Sequence, residues 1–228
     1  MKKLESLSIV FPCLNDEKTI SSLVTNAGMI ATELTDNYEI IIVDDGSKNG
    51  TKVVLDKLSK TVPYLRVIYH QKNQGYGKTI KDGLYASKKD WVFYTDGDGQ
   101  YDVLELPHLA NSVQLGVDVV NGFKKKRSDP LIRKLVGYLY NLMIVRLFSL
   151  PIRDVDCDFR LIRRHILDKI ELTTSSGGFP LELVRKLQKA GARFSEIPVT
   201  HTARLHGSSE FFKPRHLLKT AREIMSIR

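Results

Sequence analysis

Cysteine and long apolar runs are both scarce in this chain. The two cysteines, Cys13 and Cys157, stand far apart among 228 residues and match no zinc-binding spacing. Two buried free thiols in a reducing compartment are therefore expected, not a disulfide framework. No segment reaches the roughly 18–20 uninterrupted apolar residues of a membrane span. The nearest, Leu135 to Leu150, is broken by Asn141 and Arg146. The opening run Leu7–Phe11 is too short for the apolar part of a signal peptide. A soluble or peripheral chain follows. Acidic residues are outnumbered, 26 Asp+Glu against 35 Lys+Arg, which leaves a net charge of +9. That excess suits an anionic partner such as a nucleotide or acidic lipid headgroups, and it also suits a surface that only keeps the protein soluble. Aromatic residues are not interleaved with the basic runs as single-strand binding requires, so no nucleic-acid partner is expected. Internal repeats and low-complexity segments are absent.

What is present alternates. Leu7–Phe11 reads as a strand stopped by Pro12, and Thr19 to Leu34 carries apolar residues at helical spacing. Glu39–Val43 is a continuous apolar run of the kind that forms a buried parallel strand. A helix over Thr51–Leu58, a strand over Leu65–Tyr69, a helix over Lys78–Ser87 and strands at Trp91–Tyr94 and Val117–Asn121 follow. The pattern predicts a doubly wound, mostly parallel α/β sheet with flanking helices. After residue 122 the style changes. A basic run Lys124–Arg127 leads to an amphipathic helix over Pro130 to Leu150, with Leu131, Ile132, Leu135, Val136, Leu139, Leu142 and Met143 as its apolar stripe. Asp154–Arg160, a helix over Pro180 to Ala190, a strand over Arg193–Val199 and a basic tail with Phe211 and Phe212 complete the chain. Residues 1–122 form a ligand-binding half and 123–228 a second half of the same globular domain.

Ligands of such sheets bind outside the carboxyl ends of the strands, and two acidic clusters fall at such ends. Asp96-x-Asp98, flanked by Gly97 and Gly99 and followed by Gln100, can present oxygens to one hard cation. The bland alternative is an Asp-Gly turn. Asp44-Asp45-Gly46-Ser47 offers a carboxylate for a base or ribose, or else a cap for the next helix from Ser47 or Asn49. Asn73–Lys78 reads as a turn entering a helix, with phosphate contact as the alternative. Asp154, Asp156 and Asp158 read as a turn tied to Arg160 and Arg163, with a second metal site as the alternative.

The order Pro12-Cys13-Leu14-Asn15-Asp16, Asp44-Asp45-Gly46-Ser47, Asn73-x-Gly75-x-Gly77 and Asp96-x-Asp98-x-Gln100 resembles family 2 glycosyltransferases. Dolichol-phosphate mannose synthases and bacterial polyprenyl-phosphate glycosyltransferases are the nearest in pattern. The resemblance continues through Arg133, Asp154-x-x-Cys157-Asp158-Phe159-Arg160 and Glu196-x-Pro198-Val199 to Arg204-x-x-Gly207-x-Ser209. It implies a single domain of the glycosyltransferase A type, with an acceptor-side extension at its C-terminal end. It implies that Pro12, Leu14, Asp16, Val43 and Asp45 contact the nucleoside, and that Asp96, Asp98 and Gln100 hold Mg²⁺ or Mn²⁺ beside Gly97. Arg204 would grip the donor diphosphate, and Arg133, with Lys124 and Arg127, an acceptor phosphate. Asp98 and Arg133 are the implied catalytic pair.

The implied reaction inverts a hexose from a GDP-mannose- or UDP-glucose-type donor onto a polyprenyl or dolichyl phosphate. The implied place is the cytoplasmic, inner face of a membrane, where a membrane-anchor partner or a second copy of the chain can assist. The pattern departs from relatives at Leu14, where Tyr is common, at Gly137, where Ser is common, at Glu210, where Lys is common, and at Cys157-Asp158, where Ser-Gly is common. Other readings are a hydroxyl acceptor, which needs a base such as Asp156 or Asp158, and a non-catalytic nucleotide- or nucleic-acid-binding protein. A sugar-nucleotide-forming enzyme would need a glycine- and arginine-rich loop that is missing between Phe11 and Thr19.

Overall fold

The computed structural model describes residues 4–113, 116–126, 131–202, 220 and 222–227, without the side chains of 126 and 131–136. The apolar, β-branched runs become β1 (Leu7–Cys13), β2 (Tyr38–Asp44), β3 (Leu65–Tyr69), β4 (Trp91–Thr95), β5 (Val119–Lys126), β6 (Phe159–Arg163) and β7 (Phe194–Thr200). They form one sheet in the order β3-β2-β1-β4-β6-β5-β7. Every pairing is parallel except those of β6, which runs antiparallel to β4 and β5. The helices are α1 (Ile20–Leu34), α2 (Thr51–Thr61), α3 (Tyr76–Ala86), α4 (Leu106–Asn111), α5 (Leu131–Leu147), α6 (Arg164–Leu167) and α7 (Phe179–Lys189).

Side chains alternate between the two faces of the sheet, and both faces are covered. Leu7, Ile9 and Phe11 of β1 pack with α1 and α4, while Val10 packs with Ile80 and Leu84 of α3 and Phe179 of α7. Double coverage is why β2 reads as an unbroken apolar run. A third cluster joins Ile144 of α5 to Leu150, Ile152 and Val155 and to Leu181 and Val184 of α7.

Four expectations change. β1 does not stop at Pro12 but runs to Cys13. Leu7 N donates toward β2 and Cys13 O accepts from the chain after β2, so odd residues of β1 face β2. Pro12 therefore turns its missing N–H toward β4, whose pairing has already ended at Val10–Tyr94. The fifth strand does not end at Asn121: β5 extends into the basic run through Lys126 and pairs with β7 up to Lys126–Thr200. Phe159–Arg163 is a full strand, concealed in the sequence by the fully buried Arg160 at its second position. On α5 the buried face centres on Ile144, whereas Leu139 (54%), Met143 (56%) and Leu147 (70%) are exposed, as is Tyr138. Arg127 and the tail from 203 to 219 lie outside the described residues.

Glu182 of α7 ties down the loop that supports the site. It accepts from Thr173 N (2.8 Å), Thr174 N (2.8 Å), both threonine hydroxyls (2.6 Å each) and Lys186 (2.6 Å). Burial pushes its pKa up, but Lys186, Thr173 and Thr174 outweigh that and hold it down at about 2. A depressed carboxylate adds stability that is present above its unfolded value near 4.5 and is lost as pH falls toward 2. Glu182→Gln is expected to cost about 2–3 kcal/mol at pH 7, measured by urea unfolding, with the gap to wild type closing between pH 4.5 and 2. A gap independent of pH would contradict this role.

Candidate active site at the carboxyl ends of the central strands

The chain runs outward from β1 to β2 and β3, then returns to place β4 on the other side of β1. The loops after β1 and β4 therefore diverge at a topological switch point, where open α/β sheets bind ligands. Gly97 fits there because it has no side chain: a Cβ would stand 2.3 Å from the Pro12 carbonyl oxygen. Its close approach serves the packing of these two loops. Asp16 closes the β1 loop, its Oδ2 accepting from Leu14 N at 2.8 Å.

Asp96 and Asp98 follow β4 directly. Because β6 is antiparallel, its start lies beside the end of β4, with Phe159 opposite Thr95. That single reversal delivers Asp158 to the acidic loop. Burial, then repulsion from Asp158 and Asp98, pushes the Asp96 carboxyl well above the usual range, while Tyr76 and Lys124 act the other way. Tyr76 Oη donates to Asp96 Oδ1 at 2.7 Å, and Asp98 Oδ1 accepts from Gln100 N at 2.9 Å.

Hard oxygen donors gathered against their own repulsion suit a divalent cation such as Mg²⁺ or Mn²⁺. Among the described residues no three His, Cys, Asp or Glu side chains already form a metal-holding group. A cation here would need outside oxygens to complete its shell, as Mg²⁺ does with substrate phosphates and water. The Gln100 side chain, expected as a ligand, has its Nε2 donating to Thr202 O at 3.0 Å, which ties the acidic loop to the end of β7.

Asp158 has support of its own. Tyr94 Oη donates to it at 3.2 Å, and the fully buried Arg160 donates in turn to Tyr94 Oη, Asn121 Oδ1 and Val155 O. Asp158, expected in a turn or as a base for a hydroxyl acceptor, stands instead beside the Asp96 and Asp98 expected to hold the metal. The sequence signal was its place in Cys157-Asp158-Phe159-Arg160, but only the strand reversal shows which edge it reaches. Arg160 does pair with this turn, whereas Arg163 lies over the Trp91 ring instead.

The other expected residues divide. Leu14, Asp16, Asp45, Asp96, Gly97 and Asp98 share the same end of the sheet. Asp45 is engaged within the chain, accepting from Gln74 N, Gly75 N and His70. Asp44 holds Ser47, and Asn49 accepts from Thr51 N at the start of α2. Val43 is fully buried against α3, so any ligand contact there falls to its backbone. The Lys124 side chain is 9% exposed and faces Asp154 at 3.7 Å, with its Nζ donating to Asp156 O at 2.6 Å. Arg133 lies on α5, and its side chain, like Arg204 and Arg127, is outside the described residues. Gly75 and Gly77 press on Ser175, Ser176 and Phe179, so the Asn73 loop is a packed turn into α3. Cys13 and Cys157 are buried and free, with burial pushing Cys157 up to about 12.

The architecture is that of a glycosyltransferase of the A type. Glucosyl-3-phosphoglycerate synthase from Mycobacterium tuberculosis, solved with Mn²⁺, UDP and glucosyl-3-phosphoglycerate, matches with a TM-score of 0.72 at 19% identity, over 97% of this chain and 78% of that one. The same enzyme with Mg²⁺ and UDP matches with a TM-score of 0.71 at 18% identity, over 97% and 77%. Residues 8–171 match the model of glycosyl transferase family 2, and the chain belongs to that family. Among curated relatives, the undecaprenyl-phosphate 4-deoxy-4-formamido-L-arabinose transferase of Pseudomonas fluorescens is 31% identical over 211 residues, 91% of this chain and 61% of that protein. Its counterpart from Aeromonas hydrophila is 29% identical over 209 residues, 91% and 63%. The chain thus spans somewhat over half the length of these relatives.

If Asp96, Asp98 and Asp158 repel one another without a cation, neutralising one should stabilise the metal-free protein. Asp96→Asn, in EDTA at pH 7, is expected to gain about 1–2 kcal/mol in urea unfolding. A loss of stability would show that the carboxylates are not in mutual conflict.

Proposed function

We propose that the chain transfers a hexose from a nucleotide-diphosphate sugar to a polyprenyl phosphate at a membrane surface. The observation that carries this reading is the acidic cluster at the β1–β4 switch point of a family 2 chain. Asp96 and Asp98 would hold Mg²⁺ or Mn²⁺, which supplies positive charge to the leaving diphosphate. Tyr76 holds Asp96 for that task, and Tyr94 with Arg160 holds Asp158. Arg204 follows Thr202, which is tied to the acidic loop through Gln100, and would add a cation on the diphosphate.

The relatives named for undecaprenyl phosphate support a lipid phosphate as acceptor. Such a phosphate is largely dianionic at neutral pH and attacks without a general base. A cavity of about 380 Å³ lies beside α5, lined by the cations Lys124, Lys125 and Arg153, the rings of Phe123 and Tyr138, and Asn141 and Asp154. Three cations against one carboxylate suit an anionic head, and α5, which lines the cavity through Tyr138 and Asn141, also exposes Leu139, Met143 and Leu147, which suit an apolar tail. Among the described residues no helix is long and apolar enough to cross a membrane. The exposed apolar side chains of α5 would lie on the bilayer, and the cytoplasmic face is the side proposed for it. A hydroxyl acceptor is the second reading. It is favoured by Asp158, which, of the two candidate bases Asp156 and Asp158, is the one set against Asp96.

The test is transfer of radiolabelled sugar from a panel of UDP- and GDP-sugars to short polyprenyl phosphate, with Mg²⁺ or Mn²⁺ and with EDTA. Metal-dependent transfer is expected, reduced at least about 100-fold in Asp98→Ala and Arg133→Ala, roughly the loss of one charge-stabilising group. Transfer only to hydroxyl acceptors, abolished in Asp158→Asn, would establish the second reading instead.

A further inference from the structure

His70 follows β3 directly, and its backbone N–H donates to Asp44 O at 2.9 Å. Its ring lies between two carboxylates, with Nδ1 2.7 Å from Asp45 Oδ1 and Nε2 3.0 Å from Asp82 Oδ2. The ring is 6% exposed and Asp45 is 5% exposed. Asp82 sits on α3 and takes Lys78 as a further partner. A ring with a nitrogen on each edge spans from the loop after β2 to α3, a reach that a single amide or hydroxyl cannot copy.

The consequence lies beyond Asp45. The same carboxylate accepts from Gln74 N at 2.8 Å through Oδ1 and from Gly75 N at 3.0 Å through Oδ2. The next residue, Tyr76, opens α3 and gives its hydroxyl to Asp96. Four polar contacts, two of them side by side on Asp45, together with the Gly75–Tyr76 backbone therefore connect His70 to the acidic loop. We propose that His70 is a positioning residue of the donor site: through Asp45 it fixes the 73–77 loop, and through Tyr76 it sets the carboxylate of Asp96. This rests on the reading of Asp96 as part of the metal–diphosphate site. His70 does no chemistry itself.

Three variants of the full chain test it: His70→Gln, His70→Ala and Tyr76→Phe, with the double variant His70→Gln/Tyr76→Phe. Hydrogen exchange by mass spectrometry reads residues 71–78, with 7–13 of β1 as control. Calorimetry reads the binding of UDP or GDP in the presence of Mn²⁺. Exchange in 71–78 is expected to quicken at least tenfold in both His70 variants with 7–13 unchanged. Nucleotide affinity should fall about tenfold in His70→Gln and in Tyr76→Phe, and no further in the double variant, because both cut one chain of contacts. Unchanged exchange in 71–78, or equal quickening in 7–13, would overturn the local role. So would quickened exchange with wild-type affinity, or additive losses in the double variant. If the wild-type chain binds neither nucleotide, the donor-site reading fails, and exchange alone then decides whether His70 holds the loop.

Discussion

Like-charge repulsion among Asp96, Asp98 and Asp158 is the constraint around which the site is arranged. Burial, and then the neighbouring Asp158 and Asp98, raise the cost of ionising Asp96, so the carboxylates at this edge of the sheet must be held by their neighbours. Asp96 is held by the Tyr76 hydroxyl, Asp98 by the Gln100 backbone, and Asp158 by Tyr94 with Arg160 behind it. Arg160 is itself a buried cation, and its partners are Asn121 of β5, Tyr94 of β4 and the Val155 carbonyl. A buried charge left without such partners costs several kcal/mol, so these strands and the turn before β6 are locked together by electrostatics as well as by ladder hydrogen bonds.

The fold itself is shaped to bring this about. A wholly parallel sheet would place the chain before β6 at the opposite edge from the end of β4. The antiparallel β6 instead brings Asp158 to the edge where β4 ends. The β1 and β4 loops are then pressed together by a glycine with no room for a side chain. On the other flank, Asp45 gathers the loop after β3, and Glu182 and the residues around Ser175 brace that loop from α7.

Much of this was legible in the sequence because it rests on local signals. The apolar runs of β1 to β4, the helical spacing of α1 and the acidic pairs after β2 and β4 are short-range patterns, and the structure keeps them nearly residue for residue. What was not legible depends on partners distant in sequence. Phe159–Arg163 carries an arginine at its second position that reads as a surface residue until Tyr94 and Asn121 are found around it. Lys124 reads as a free cation until Asp154 is placed opposite it. Asp45 reads as a ligand group, although His70 and two backbone amides already use its oxygens. On α5, Leu139 and Met143 match a core stripe, but the contact with α7 selects Ile144. Sequence spacing defines an apolar face, but tertiary packing decides how far around the helix that face is buried.

If Asp96 and Asp98 form half of a cation site, a nucleoside diphosphate must complete it. Electron paramagnetic resonance of Mn²⁺ titrated into the protein, with and without UDP or GDP, tests it most directly. One Mn²⁺ per chain is predicted, bound much more tightly with nucleotide than without, and lost in Asp98→Asn while the fold is retained. Mn²⁺ that stays free in the presence of either nucleotide, or that binds Asp98→Asn as it does the wild type, would contradict the account.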